Sequence, residues 1–315
     1  NGAITLTGPT TIGVGPLGTG TSADNTLTLG GAIAGAGMAM TKVGTGTLEL
    51  TKASTYGGTT IDAGMLTLRG LGTLGTADVM VKSGATLHLD GVNLTSPPNL
   101  SLAGSGAGGV GGEGALTGSG DAGYNGAITL TGPTTIGVGP LGAGTSADTL
   151  TLGRAIAGVG MAMTKVGTGT LVLSGANSFS GGTTINQGAL SLNAGATLPD
   201  SLLASFPVTL GASARLNLNA TNQRVGVLVG ETGAQLVLDT GSLTVRQNLD
   251  SEFAGAISGA GNLVKDGSGT LTLSSLNSYG STTHIDAGIL TLRGLGTLGL
   301  GDVTVKSGAT LHLDG

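Results

Sequence analysis

Hydrophobic and polar residues alternate in short runs along most of this chain. In one run, Leu48 and Leu50 alternate with Thr47 and Glu49. Because successive side chains of a strand point to opposite faces, this pattern predicts short, half-buried β-strands. No apolar pattern of helical period persists, and only residues 198–206 are predicted to form a short helical turn. The same alternation recurs at three further leucine pairs: Leu87 and Leu89, Leu171 and Leu173, and Leu271 and Leu273.

The predicted strand cores recur at nearly constant steps. Four successive leucines lie roughly 18 to 21 residues apart, namely Leu29, Leu50, Leu68 and Leu89. A period of that length is typical of a solenoid, in which each turn of the chain stacks on the turn before it. Several short strands per turn, joined at Gly, Asn and Ser corners, predict an all-β fold of the parallel β-helix type.

Longer blocks of the sequence are duplicated. Residues 1–24 recur almost unchanged at 125–148, and the blocks within 66–91 recur within 290–315. The chain begins without Met and stops at the residue that matches Gly91. We therefore expect it to be a piece of a longer array.

This repetition predicts one continuous architecture rather than separate globular domains. The predicted organisation is a single repetitive β-solenoid over 1–315, internal repeats at 1–91 and 125–192, a partial third copy at 250–315, and a Gly/Ser-rich loop or irregular turns at 92–124.

The composition supports many tight corners around a narrow interior. Of the 315 residues 64 are Gly, which turns at low steric cost, and only 2% are aromatic. Charged residues make up 9% and the net charge is −5, so neither nucleic-acid binding nor docking on anionic lipid is expected. The absence of Cys excludes disulfides and thiolate metal sites. No apolar run is long enough to predict a membrane helix.

Two glycine motifs are interpreted as corners of the solenoid. Residues 13–18 and 137–142 match the G-x-G-x-x-G pattern of dinucleotide sites. Such a site needs a helix directly after the motif, but Pro16 and Pro140 interrupt the two motifs and no helix is predicted there. No nucleotide cofactor is therefore expected.

A third glycine-rich segment, 104–123, contains ten Gly. Only Glu113 and Asp121 offer carboxylates there, whereas calcium takes about six to eight oxygen ligands. We predict a loop or a loosely formed turn, without a metal ion.

Two of the three histidines, His88 and His312, are predicted to be surface residues. His88 and His312 occupy equal places in two copies of T-L-H-L-D-G. Because successive side chains of a strand point to opposite faces, both histidines are predicted to point outward while the leucines on either side point inward. An exposed His near a carboxylate is the expected environment of each, and His284 stands where the other copies have Thr. No converging set of metal ligands is predicted.

An enzyme of the polysaccharide lyase or hydrolase class needs acids gathered on adjacent turns. The densest acidic group in the sequence has two cations and one aromatic residue near it, but almost no ring surface on which a sugar could stack. We therefore predict no catalytic residues. The group comprises Asp239, Asp250, Glu252 and Asp266, with Arg246, Lys265 and Phe253.

A finer unit of about 25 residues recurs three times, and it places an aromatic residue at Tyr56, Phe179 and Tyr279. These rings are predicted to pack at corners. Asn177 and Asn277, two residues earlier, suit either a left-handed turn or a side-chain hydrogen bond.

The three copies, at 44–68, 167–192 and 267–292, follow the pattern GxGTLxLxxxxx(Y/F)xGxTxIxxGxLxL, and the first copy is one residue shorter. This pattern resembles the autotransporter-associated β-strand repeat, also called the passenger-associated transport repeat, of type V secreted passenger domains. The resemblance implies a right-handed parallel β-helix exposed at the surface of Gram-negative cells. It also implies attachment to the outer membrane through a region that this sequence does not contain.

Three functions follow as hypotheses. The first is a non-catalytic extracellular rod that mediates adhesion, aggregation or biofilm formation. Its partners would be copies of itself, neighbouring repeats, surface glycans, or host and abiotic surfaces, with no membrane insertion of this segment. The second is a fibre subunit that stacks end to end through unpaired edge strands. The third is a polysaccharide lyase or hydrolase on a β-helix.

Overall fold

The computed structural model describes residues 2–15, 25–108, 113–139, 147–198 and 206–315. Those residues form strands and turns and no helix. Parallel strands stack as a β-solenoid of about 13 turns, which confirms the predicted fold class. The helical turn predicted at 198–206 falls almost wholly outside the described residues. No helix in the described part of the chain has the length and apolarity to cross a membrane.

The chain divides into two compact units, one formed by 1–161 with 166–171 and the other by 162–165 with 172–315. The first seventeen strands are β1 (Ile4–Thr5), β2 (Thr10–Gly13), β3 (Thr26–Leu29), β4 (Ile33–Ala34), β5 (Met40–Val43), β6 (Thr47–Leu50), β7 (Thr59–Ile61), β8 (Gly64–Arg69), β9 (Val79–Val81), β10 (Ala85–Asp90), β11 (Asn93–Leu94), β12 (Leu100–Gly104), β13 (Leu116–Ser119), β14 (Asp121–Tyr124), β15 (Ile128–Val138), β16 (Thr149–Leu152) and β17 (Ile156–Ala157).

The remaining strands of the described chain are β18 (Met163–Val166), β19 (Thr170–Leu173), β20 (Thr183–Leu192), β21 (Val208–Asn217), β22 (Gln223–Val225), β23 (Leu228–Gly230), β24 (Gln235–Val237), β25 (Ser242–Arg246), β26 (Ser251–Phe253), β27 (Ala256–Ser258), β28 (Asn262–Asp266), β29 (Thr270–Leu273), β30 (Thr283–Ile285), β31 (Ile289–Arg293), β32 (Val303–Val305) and β33 (Thr310–Asp314).

Alternation places the leucines in inward columns, as predicted. Leu48 lies in register with Leu66 of the next turn, Leu66 with Leu87, and Leu87 with Leu116. All four side chains are fully buried. Like residues thus stack on like residues, and the core is one narrow column per strand position rather than a thick layer.

The turns differ in length, and several of them span 28 to 30 residues. Gly64 pairs with Ala85, 21 residues later, but Leu87 pairs with Leu116, 29 residues later. Thr86 holds the described residues on either side of 109–112, because its Oγ1 donates to the Gly114 carbonyl at 2.9 Å and accepts from the Ala107 amide at 2.8 Å. Segment 92–124, predicted to be a loop or irregular turns, contains strands β11 to β14.

Candidate binding surface

The predicted aromatic corners lie inside the solenoid. Tyr56, Phe179 and Tyr279 are almost completely buried. The Tyr56 hydroxyl lies 3.0 Å from Thr59 Oγ1, and the Tyr279 hydroxyl lies 2.6 Å from Thr283 Oγ1. Burial raises the pKa of both phenols, so both stay neutral and hydrogen-bonded. These rings fill the interior and offer no surface to a ligand.

The middle copy shows what happens when the hydroxyl is missing. Phe179 takes the place of tyrosine, and Thr183, which corresponds to Thr59 and Thr283, has a buried Oγ1 with no hydrogen-bond partner among the described residues. An unpaired buried hydroxyl costs free energy because its hydrogen bond to water is lost without replacement.

We expect Phe179→Tyr to raise the free energy of unfolding by about 1 kcal/mol, because the new phenol pairs with Thr183. Tyr279→Phe is the matched variant, and it is expected to lower the same quantity by about 1 kcal/mol, since it orphans Thr283. Denaturant unfolding of both variants checks this. A destabilised Phe179→Tyr chain would show that the middle copy has no room for the hydroxyl.

The two asparagines before the aromatic position join consecutive turns. Asn177 Nδ2 donates to the Thr197 carbonyl at 2.9 Å, and Asn277 Nδ2 donates to the Thr297 carbonyl at 2.6 Å. Neither asparagine adopts positive φ. The side-chain hydrogen bond is therefore confirmed, and the left-handed alternative is wrong.

Three lysines lie inside the solenoid, which the sequence interpretation missed. Lys42, Lys165 and Lys265 are fully buried. Lys42 Nζ donates to the carbonyl oxygens of Gly44 at 2.7 Å, Ala63 at 2.9 Å and Val43 at 3.1 Å. All three ammonium protons are thereby used. Burial lowers the pKa of Lys42 to about 8, so the side chain remains mostly protonated at neutral pH.

Lys265 repeats this arrangement with the carbonyl oxygens of Asp266, Gly267 and Ala287 at 2.8 to 3.1 Å. Burial lowers its pKa to about 8 as well, and it lowers that of Lys165 to about 7. The signal for these positions was present in the sequence, because alternation from Met40 places Lys42 on the inward face. These cations hold corners together and are not available to a ligand.

His88 is buried, so the prediction of an exposed histidine is wrong at this position. The His88 side chain does point away from the inward Leu87 and Leu89. However, Thr67 and Thr117 of the adjacent turns lie beside it, so only 6% of the residue is exposed. The prediction holds for His312, which is exposed in the last strand. His284 is half-buried, with Nε2 at 3.0 Å from Thr282 Oγ1.

A small polar cluster surrounds His88. Thr117 Oγ1 lies 2.8 Å from Nδ1, and Ser119 Oγ lies 3.3 Å from Nε2. Ser119 donates its own proton to Asp90 at 3.0 Å, so neutral His88 must donate from Nε2 and accept at Nδ1. This order is the reverse of the one that a serine nucleophile needs, in which histidine takes the serine proton. The cluster is therefore a structural network.

Burial lowers the pKa of His88, although the charge of Asp90 opposes the shift. The unfolded chain then binds the proton first as the pH falls below about 6.5, and stability is lost from that pH downwards. We expect His88→Gln to reduce the fall in unfolding free energy between pH 7 and pH 5. His312→Gln, at the matching exposed position, is expected to leave that fall unchanged. Equal effects of the two variants in pH-dependent denaturation would contradict this assignment.

Three members of the acidic group considered for catalysis have partners on an adjacent turn. Asp250 Oδ1 accepts the Thr270 amide at 2.7 Å, and Glu252 accepts the Ser274 hydroxyl at 2.6 Å. Each therefore ties its own turn to the next, and Asp266 pairs with Arg246 of the preceding turn at 3.5 Å. Lys265 lies inside the solenoid, Phe253 is fully buried, and Asp239 has φ of 52° at a corner.

The remaining candidates lie partly outside the described residues. Pro16 and Pro140, with the later residues of both G-x-G-x-x-G motifs, lie outside the described residues. Asp121 is exposed at the start of β14. Among the described ranges, no three His, Asp or Glu side chains converge as they would around a metal ion.

Ion pairs on the outer face join one turn to the next. Arg69 contacts Asp90 of the following turn and, at 3.6 Å, Glu49 of the preceding one. Burial alone would raise the pKa of Asp90, but hydrogen bonds from Arg69 and Ser119 outweigh it and hold that pKa below its ordinary value. The same kind of pairing joins Lys82 with Asp62, Lys306 with Asp286, and Arg293 with Glu252 and Asp314. Much of the sparse charge is therefore already paired.

On the outer face of the first unit, the polar groups that remain available to a ligand are mainly hydroxyls. Thr11, Thr41 and Thr60 lie in register on β2, β5 and β7, and Met80 and Ser101 continue the line. We call these five residues the outer threonine column. In the described chain no hydrogen bond occupies the three threonine hydroxyls. In the second unit Thr164, Thr184 and Thr209 form a similar line.

A groove of about 560 Å³ opens at another part of the first unit. Its polar side chains are hydroxyls and one amide, and it holds no charged group. Its polar lining residues include Ser54, Thr73, Thr76, Asn93, Thr95 and Ser96.

Comparison with known proteins agrees with this architecture. The passenger-associated-transport-repeat family model matches residues 40–68, 163–192 and 263–292. Over 159 residues the chain is 32% identical to the "Adhesin BmaC autotransporter" of Brucella suis biovar 1 (strain 1330). The matched region covers 49% of this chain but only 4% of that protein. A comparison with solved structures finds no match. The chain therefore carries three passenger-associated transport repeats, and the resemblance that its sequence predicts is confirmed.

Proposed function

We propose that this chain is a non-catalytic, adhesive segment of a passenger exposed at the cell surface. The observation that carries the proposal is the outer threonine column, in which three threonine hydroxyls without a described partner lie in line on a β-solenoid that has few charges. The similarity to an autotransporter adhesin supports it. Such a surface suits weak, repeated hydrogen bonds to glycans, to polar abiotic surfaces or to a second copy, since many weak contacts in a row give high avidity.

Adhesion is tested with the full-length protein displayed on Gram-negative cells. Replacing Thr41 and Thr60 by Asp adds two unpaired charges to the outer threonine column, and we expect cell attachment to surfaces and cell aggregation to fall. The matched control is Thr26→Asp with Thr28→Asp, at exposed positions of β3 outside that column. Equal adhesion of both variants and the parent would overturn the proposal.

Two measurements separate the other hypotheses. A depolymerase assay on polysaccharides is expected to show no turnover, and sustained turnover that is lost on Asp250→Asn with Glu252→Gln would contradict a non-catalytic role. Electron microscopy of the purified chain is expected to show separate particles. Long filaments would instead support a fibre subunit.

A further inference from the structure

Three Asn-x-Ser/Thr triplets occur in the chain, at Asn93, Asn99 and Asn219. None has Pro in the middle position. This triplet is the acceptor sequence for asparagine-linked glycosylation, and a match has meaning only where the asparagine is exposed in a secreted chain. All three asparagines are exposed, so sequence and exposure alone do not distinguish them.

Hydrogen bonding does distinguish them. Asn99 Nδ2 donates to Asp78 Oδ1 at 3.2 Å, and Asn219 Nδ2 donates to Ser191 Oγ at 2.7 Å. Both amides thereby join adjacent turns of the solenoid. Asn93, in contrast, makes no side-chain hydrogen bond to any residue that the structure describes. Its amide nitrogen is therefore the one that loses no internal contact when it is modified.

The backbone gives the Asn93 side chain its place. Asn93 on β11 pairs with Gly123 on β14. A Cβ at Gly123 would lie 2.4 Å from Asn93 Oδ1, which is closer than side-chain atoms approach. Only glycine at this position leaves room for the amide in its observed orientation.

Space for a sugar lies directly beside this amide. Asn93 lines the groove of about 560 Å³, a volume within the range of small-ligand sites. The hydroxyls of Ser54, Thr73 and Thr76 line the same groove and donate to backbone carbonyls, whereas those of Thr95 and Ser96 make no hydrogen bond to a described residue. A hexose on Asn93 would find hydrogen-bonding partners along the groove wall rather than extend into solvent.

We propose that Asn93 is a glycosylation site of this protein, with a hexose linked through Nδ2. A bond forms between Nδ2 and the anomeric carbon of a nucleotide-activated hexose, and the bond from that carbon to the diphosphate breaks. The nucleoside diphosphate leaves, and one amide proton passes to the base of the transferase. Thr95, exposed and two residues later, supplies the hydroxyl that the acceptor sequence requires.

The test is peptide mass mapping of the protein isolated from the surface of the cells that produce it. We expect the peptide that contains Asn93 to carry the mass of an added hexose in most copies, and the Asn219 peptide to carry it in few or none. Thr95→Ala keeps the asparagine but removes the acceptor sequence, so it should abolish the modification, while Thr95→Ser should retain it. Fragmentation assigns the site between Asn93 and Asn99.

An unmodified Asn93 in the parent protein would overturn the proposal. Modification that persists in Thr95→Ala, or that is equal at all three asparagines, would also overturn it, because neither the acceptor sequence nor the groove would then determine the site. The readout is a mass, so its outcome is separate from that of the adhesion assay.

Discussion

Replacing Lys42 by methionine is expected to lower the free energy of unfolding by about 2 to 4 kcal/mol. Methionine keeps most of the side-chain volume, so the variant removes the ammonium without opening a large cavity. The carbonyl oxygens of Gly44 and Ala63, which lie 2.7 and 2.9 Å from Nζ, then lose their donor inside the solenoid. Each orphaned buried acceptor costs about 1 to 3 kcal/mol. Denaturant unfolding measures the loss.

The control for this variant is Lys52→Met, at an exposed lysine ten residues later in the chain. It removes the same charge and is expected to change stability little. A second measurement follows from the pKa of Lys42, which burial lowers to about 8 from 10.5. Unfolding takes up a proton between these values, so stability rises with pH across that window. Lys42→Met is expected to reduce the rise, and equal unfolding curves for both variants would contradict the buried role.

The second large effect is expected from Gly64→Ala, which should cost about 3 to 5 kcal/mol. Gly64 has φ of +66°, where a side chain is strained by about 1 to 2 kcal/mol. A Cβ there would also lie 2.4 Å from the Gly44 oxygen and 2.5 Å from the Gly46 oxygen. Since both are backbone atoms of the preceding turn, the stack itself would have to open. The thermal unfolding midpoint and denaturant unfolding both report this change.

Gly91→Ala separates the two causes. Gly91 has φ of +62°, but a Cβ there would meet no atom within 4 Å. It is expected to cost only the backbone strain of about 1 to 2 kcal/mol. If the two alanine variants lost equal stability, close stacking over the Lys42 corner would not be the reason for glycine at position 64.

The fold was predictable because its signal is local and repeated. Alternation around Leu48 and Leu50 identifies strands, and the steps between leucines identify stacked turns. The same rule also turns Lys42 inward, yet a cation in an apolar column is unexpected until its carbonyl partners are known. Gly44 lies two residues away, but Ala63 lies 21 residues away on the next turn. The sequence pattern does not show that Ala63 is close to Nζ.

Burial at repeated positions was not predictable from the residues themselves. Leu89 and Leu313 occupy equal places in duplicated blocks, but Leu89 is fully buried and Leu313 is 71% exposed. β13 stacks on the strand of Leu89, whereas in the described chain the strand of Leu313 pairs only with β31. The histidines of the same blocks differ for the same reason. In a solenoid, the neighbouring turn decides exposure as much as side-chain chemistry does.

Near-identical repeats in one chain create a problem of assembly order, because a turn can nucleate on the wrong copy. Unequal turn lengths counter such an error, since steps of 21 residues and of 28 to 30 residues both occur in the described chain and a strand shifted by one turn would need a connection of the wrong length. A misassembled stack would therefore lose the bonds from Thr86 to Gly114 and Ala107. The unequal turns thus make the positions along the stack distinguishable, although the repeats themselves are almost identical.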